Sequence, residues 1–202
     1  MAEEEKPQEQ PEEEVLTLDQ IEAFIVAAHG NLPRVREMLI LHPGLLNARH
    51  YWTETDSETA IQAAAQTGSV PVVEYLLERG APLEICTAAM LGRKDDVKRM
   101  LDEDPGLIEA RGAHGIPLMP HAALSGNVEL AKMLYERGAT GSISHALSNA
   151  VMHGDARMAR WLLDNARPDL AWTSYEGKNL LTIARETGKP EMLTLLQEYG
   201  VK

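Results

Sequence analysis

The chain has 202 residues, of which 44% are hydrophobic, 25% charged and 4% aromatic, and its formal net charge is −12. This length fits one domain or a stack of small units, and the scarcity of aromatic residues favours packed helices with aliphatic cores over a β-sandwich. An acidic chain without a basic stripe argues against nucleic acid or an anionic membrane as the partner, because both are bound through clustered Lys and Arg.

The N-terminal segment, residues 1–16, is predicted to be an acidic disordered tail. Residues 1–14 contain seven Glu and a single basic residue, Lys6, and repulsion with low hydrophobicity opposes folding. No secretory signal or stretch long enough to span or insert into a membrane is visible, so we expect a cytoplasmic protein. Cys86 is the only cysteine, which excludes an intrachain disulfide, and its apolar neighbours predict a buried side chain.

The first predicted helix begins at about Leu18. Thr17 and Gln20 have the spacing of a capping box, in which each side chain satisfies a backbone N–H at the start of a helix. We therefore predict that an ordered domain covers residues 17–202.

A glycine motif then recurs along the whole domain. A short Ala-rich segment precedes each glycine. Apolar residues follow each glycine at offsets of five, eight and nine, and this spacing of three to four positions places them on one face of a helix. The pattern predicts a helix, a tight turn at a left-handed glycine, and a second helix. The six turn glycines are Gly30, Gly68, Gly92, Gly126, Gly154 and Gly188.

The spacing of these glycines groups the six units into three doublets. Successive glycines lie 38, 24, 34, 28 and 34 residues apart, so long and short connections alternate. The long connections have room for an extended finger, and we predict fingers around residues 47–58, 109–118 and 171–178. The short ones, residues 80–86 and 138–146, are predicted to pass almost directly from helix to helix.

Residues 18–200 resemble the ankyrin repeat family. The closest unit runs from Thr59 through the turn glycine Gly68 to Ala81, with Val72-Val73-Glu74-Tyr75-Leu76-Leu77 as its second helix. No unit carries the full Thr-Pro-Leu-His start of the family, so the match is divergent. The resemblance implies an all-α, ankyrin-type α-solenoid of about six helix-turn-helix repeats, with extended fingers after alternate repeats.

The resemblance also implies where a partner binds. The family's partner-facing surface is the concave side, made by the finger tips and the two residues before each turn glycine. Loop Trp and Tyr carry much of the binding energy at protein interfaces, although each could instead pack across its own finger, and the apolar pre-glycine residues could lie in the core between repeats. The candidate partner-binding residues are Tyr51, Trp52, Met90, Leu91, Leu124, Met152, His153, Trp172 and Tyr175. Trp161, in a helical position, is predicted to be structural.

The sequence predicts no metal site, no cofactor and no catalytic centre. Among the seven histidines, including His114, His121, His145 and His153, no pair has the spacing of zinc ligands on one helix. Asp95 and Asp96 begin a helix, where carboxylates stabilise the positive end of the dipole.

We therefore expect a non-catalytic scaffold or adaptor that binds a protein partner through its concave face and fingers. Two alternatives stay open. One is an accessory subunit of an enzyme or membrane complex, and the other is a small-molecule or metal-dependent protein.

Overall fold

The computed structural model describes residues 15–201, and the part of the predicted acidic tail before residue 15 lies outside it. The division into a tail and a domain from residue 17 stays a prediction. Thr17 caps the first helix, with its hydroxyl accepting from the backbone N–H of Gln20 and the Gln20 side chain accepting from the backbone N–H of Thr17. The predicted capping box and helix start are thus both present.

The described residues form twelve α-helices in six pairs and one small hairpin. The helices are α1 Leu18–Ala28, α2 Leu32–Leu41, α3 Ala60–Gln66, α4 Val70–Glu78, α5 Ile85–Met90, α6 Lys94–Glu103, α7 Leu118–Leu124, α8 Val128–Glu136, α9 Ile143–His153, α10 Ala156–Asn165, α11 Leu180–Glu186 and α12 Pro190–Glu198. The strands are β1 Arg49–Tyr51 and β2 Ser57–Thr59. Short 3₁₀ turns occupy Pro43–Asn47, Pro105–Glu109 and Ala113–Gly115.

The helices stack in two layers, as expected for an ankyrin-type α-solenoid. The first helices of the pairs contact one another in chain order from α1 to α11, and each packs on the second helix of its own pair. Ala63, Ala64 and Ala65 are at most 1% exposed. Small side chains at such contacts let helix axes approach closely, which is why the Ala-rich segment precedes each turn.

Three fingers alternate with short links, as the glycine spacing predicts. The first finger is the antiparallel hairpin of β1 and β2, and the other two are closed by single bridges between Arg111 and Pro117 and between Thr173 and Asn179. The links between α4 and α5 and between α8 and α9 contain neither helix nor strand. Each finger therefore lies inside a doublet, and the short links join one doublet to the next.

Five of the six turn glycines are left-handed, and Gly30 is the exception. Gly68, Gly92, Gly126, Gly154 and Gly188 have φ between 66° and 71°. The prediction of a left-handed cap is wrong at Gly30, whose φ is not positive. The backbone N–H of the next residue, Asn31, donates to the carbonyl oxygen of Ala27, four residues back, as in a continuing helix. The corresponding residue of the second repeat, Ser69, instead bonds Ala64 five residues back, in the manner of a Schellman turn.

The buried side chains form two clusters. The first runs from Phe24 to Ala81 and includes Met90, whereas the second extends from Ile85 to Val201. Cys86 is buried, as predicted, and burial raises the pKa of its thiol to about 12, so that the thiol stays protonated. Trp161 packs edge to face on Tyr135, with ring centroids 5.9 Å apart, which agrees with its predicted structural role.

Thr87 in α5 gives a stability test of this core. Its side chain is fully buried, and its hydroxyl has no hydrogen-bond partner among the described residues. Thr87→Val keeps the shape and removes an unsatisfied polar group, so we expect the free energy of unfolding to rise by about 1 kcal/mol in urea denaturation. The matched control is Thr67→Val, which should lose about 0.5 to 1 kcal/mol because the Thr67 hydroxyl donates to the carbonyl oxygen of His29 at 2.9 Å. Equal changes in the two variants would contradict this interpretation of Thr87.

Candidate functional site

The candidate site is a cavity between the third finger and the first-layer helices α9 and α11. Its volume is about 480 Å³, within the usual range for ligand pockets. We call it the third-finger pocket. It is lined by His145, Ser148, Asn149 and Met152 of α9, by Trp172, Ser174, Tyr175, Glu176 and Lys178 of the finger, and by Ile183, Glu186 and Thr187 at α11 and its end.

Three of the predicted partner-binding residues meet in this pocket. Met152 is 50% exposed and Tyr175 is 98% exposed, whereas Trp172 is half-buried and packs against the second buried cluster. The Trp172 indole stacks on the imidazole of His145 with centroids 5.8 Å apart. Trp172 therefore forms a wall of the pocket, and Tyr175 and Met152 present free apolar surface at its mouth.

The His145 ring forms part of the pocket wall beside the Trp172 indole. Burial lowers the pKa of His145, which favours its neutral form. The hydrogen-bonding groups at this part of the pocket are Ser148 and Asn149, both nearly buried. The amide of Asn149 is already occupied, since its nitrogen donates to the carbonyl oxygen of Pro120 at 3.1 Å.

The pocket rim carries a lysine between two carboxylates. Lys178 Nζ lies 2.9 Å from Glu176 Oε2 and 3.0 Å from Glu186 Oε2. Hydrogen bonds to Glu176 and then Glu186 raise the pKa of Lys178, and the bond to Lys178 lowers the pKa of Glu176. With two carboxylates around one ammonium group, the rim has one negative charge in excess.

The first finger presents the other predicted aromatic residues. Tyr51 is 65% exposed and Trp52 37% exposed. The Trp52 indole N–H donates to Glu58 Oε1 at 2.7 Å, and the ring lies edge to face with His50 at 4.3 Å. Trp52 is therefore engaged within its own finger, while Tyr51 is available on the surface.

The predicted apolar ridge of pre-glycine residues is not a surface stripe. Met90 is only 2% exposed and belongs to the first buried cluster, so its assignment as a partner-binding residue was wrong. Leu91 and Leu124 are half-buried and pack against that same cluster. Leu124 lies 3.5 Å from where a Cβ on Gly68 would stand. The turn at Gly68 and the end of α7, which belong to the repeats on either side of the third, thus lie close together.

His153 is exposed at the end of α9, on the same turn as Met152. Its Cε1 lies 3.1 Å from the position of a Cβ on Gly68, and its carbonyl accepts from Lys189 Nζ at 3.2 Å. Burial of part of the ring and the nearby Lys189 lower the pKa of His153. His153 therefore sits where the second, fifth and sixth repeats meet.

Sequence reasoning missed the rest of the pocket. The lining residues His145, Lys178 and Ile183 are separated along the chain and come together only because α9, the third finger and α11 stack. The alternation of long and short connections locates the finger, but no local pattern indicates that a cavity lies behind it.

Comparison with known families gives two matches. The family model "Ankyrin repeats (many copies)" matches residues 119–163, and the model "Ankyrin repeat" matches residues 56–88. No curated protein matches the chain. Within residues 15–201, no helix has both the length and the apolar character needed to cross a bilayer.

Proposed function

We propose, from the premise that this chain is an ankyrin repeat protein, that it binds a protein partner through the third-finger pocket. Ankyrin repeats are in general protein–protein interaction modules, and solenoids offer extended rigid surfaces for that purpose. The observation that carries the proposal is the convergence of Met152, Trp172 and Tyr175 around one cavity.

The partner's chemistry follows from the pocket. Its apolar walls accept one large apolar side chain, and the exposed ring of Tyr175 can close over that side chain. The rim's excess negative charge and the chain's net charge of −12 favour basic residues beside it. The partner segment is therefore an apolar anchor flanked by Lys or Arg.

Ankyrin repeat proteins are typically scaffolds without catalytic activity, and we propose the same for this chain. The acidic balance supports a protein partner rather than nucleic acid. A cytoplasmic location belongs to the same proposal.

Photo-crosslinking tests whether the pocket is the contact surface. A benzoylphenylalanine in place of Tyr175 should give a specific adduct in the native cells. The same probe in place of Leu41, which is 63% exposed on α2, is the matched control and should give none. Equal adducts at both positions, or none at position 175, would contradict the proposal.

Affinity for the recovered partner gives the quantitative test. Tyr175→Ala should weaken binding by about 2 kcal/mol, or roughly 30-fold, because an aromatic anchor at an interface typically contributes that much. Leu41→Ala should change the affinity by less than about 0.5 kcal/mol. Tyr175 is better suited to this test than Trp52 or Trp172, because both tryptophans also pack within the fold.

A further inference from the structure

A second cluster of functional groups lies at the base of the first two fingers, away from the third-finger pocket. It consists of His29 at the end of α1, Glu58 in β2 and His114 in the second finger. Their ligating atoms all lie within 4.8 Å of one another. Glu58 Oε1 is 3.8 Å from His29 Nε2 and 3.7 Å from His114 Nε2. We call these three residues the finger-base cluster.

Glu58 is an unusual residue in this position because its side chain is completely buried. Its neutral hydrogen-bond donors are the Trp52 indole, at 2.7 Å from Oε1, and the Gln66 amide, at 3.3 Å from Oε2. Neither donor compensates a full negative charge. A buried carboxylate is costly unless a cation accompanies it.

In both histidines the Nδ1 atom, which is the ring nitrogen farther from Glu58, is held by a hydrogen bond. His29 Nδ1 lies 3.0 Å from the carbonyl oxygen of Ile25, and His114 Nδ1 lies 2.7 Å from Asp56 Oδ2. A carbonyl and a carboxylate only accept hydrogen bonds, so each Nδ1 carries the proton. In the neutral rings both Nε2 atoms therefore carry a lone pair and lie within 4 Å of Glu58 Oε1, and that of His29 accepts from the Gln66 amide at 2.8 Å. Oriented imidazoles of this kind are the usual second-shell arrangement of metal-binding histidines.

Backbone strain supports a functional role for His114. Its φ is 52°, in the left-handed region that non-glycine residues rarely adopt. Such conformations persist where the surroundings hold them, and they concentrate at ligand sites. The contacts between β2 and the second finger supply this restraint.

We propose that the finger-base cluster binds a divalent transition-metal ion, with Zn²⁺ as the best-matched ion. Two imidazole nitrogens and one carboxylate oxygen are a preferred zinc ligand set, at about 2.0 to 2.2 Å from the ion. A small inward movement of the three side chains reaches that geometry. Gln66 Nε2, now 2.8 Å from His29 Nε2, would release that nitrogen and keep its bond to Glu58. The fourth position is open to water.

The ion would join three repeats that are not consecutive along the solenoid. His29 comes from the first repeat, Glu58 from the finger before α3, and His114 from the finger before α7. Because the link between α4 and α5 has no finger, the first and second fingers are neighbours in space. Zinc would fix their relative position, independently of any partner at the third finger.

Calorimetric titration of the full chain, treated with EDTA and then given ZnCl₂, tests the proposal. We expect one ion per chain, a rise in the unfolding temperature, and visible absorption typical of four-coordinate Co²⁺ when that ion replaces Zn²⁺. Asp56→Asn, which alters only the partner of His114, should weaken binding about tenfold. His114→Gln and Glu58→Gln, which remove a ligand, should weaken it further.

His114→Gln is the decisive variant because His114 is exposed in a finger and its loss does not open the core. His145→Gln is the matched control, since His145 belongs to the third-finger pocket, and it should bind zinc as the wild type does. The proposal is overturned if the wild-type chain shows no zinc binding at millimolar concentration. It is equally overturned if His114→Gln binds zinc as tightly as His145→Gln does.

Discussion

Replacing Gly126 by alanine should lower the free energy of unfolding by about 2 to 3 kcal/mol. Gly126 has φ 66°, and a left-handed conformation costs an alanine about 1 to 2 kcal/mol. A Cβ there would also collide with the carboxylate of Asp155. That carboxylate caps α10 by accepting from the N–H of Met158 at 2.9 Å, and loss of a cap costs about 1 kcal/mol. Urea denaturation measures the sum.

Two variants separate these contributions. Gly30→Ala is the matched control, because Gly30 is not left-handed and no other part of the described chain lies within 4 Å of the position of its Cβ. It should leave stability unchanged or raise it by up to about 1 kcal/mol. In an Asp155→Ala background, Gly126→Ala should cost only the conformational part, about 1 to 2 kcal/mol. An equal loss at Gly30 and Gly126 would show that position in the repeat, not backbone geometry, sets the effect.

Acidification from pH 6.5 to pH 4 should remove about 3 kcal/mol of stability through His121 alone. The side chain is 1% exposed, its Nδ1 lies 2.9 Å from the carbonyl oxygen of Pro117, and its Nε2 has no partner among the described residues. Burial lowers the pKa of His121 from 6.5 to about 4, with His145 adding to the shift. Between these pH values His121 binds a proton in the unfolded chain but not in the folded chain. The free energy of unfolding therefore falls as the pH falls.

Denaturation curves at several pH values check this dependence. His121→Gln removes the titrating group, and the decrease in stability between pH 6.5 and pH 4 should become smaller by about 3 kcal/mol. Other groups, including His145 and His153, whose pKa values are also lowered, contribute in the same direction and remain in the variant. An unchanged slope in His121→Gln would exclude His121 as the source.

The repeats and fingers could be predicted from sequence because their causes are local. A turn glycine, the Ala-rich segment before it and the apolar stripe after it all act within about one repeat, so their spacing fixes the helix pairs. The length of each connection decides whether a finger fits. Gly30 departs from the pattern in its backbone hydrogen bonds, since Asn31 bonds Ala27 four residues back, and the N-cap that follows it does not explain this, because Asn127 caps α8 directly after the left-handed Gly126 in the same way.

The exposure of side chains on the ridge could not be predicted in the same way. Met90 and Met152 occupy the same place before a turn glycine, yet one is 2% and the other 50% exposed. The difference arises because side chains of neighbouring repeats cover Met90 but leave half of Met152 exposed. That depends on the angle between repeats, which no single unit encodes.

The same limit applies to the finger-base cluster. Glu58 stands in the polar run Asp56-Ser57-Glu58-Thr59, which reads as an exposed loop. Its burial arises because the second finger folds against the first, although Glu58 and His114 are 56 positions apart along the chain. A search for metal ligands on one helix could not find three ligands that come from three elements.

The alternation of fingers and short links makes the doublet, rather than the single repeat, the exchangeable module of this chain. Duplicating or deleting one repeat would change which neighbours have a finger between them and would move every later finger out of phase. Insertion of a whole doublet at the link after α4 or α8 would leave that phase intact. The protein can therefore be lengthened only in steps of two, and a junction at the first of these links would separate the two fingers that meet at Glu58 and His114.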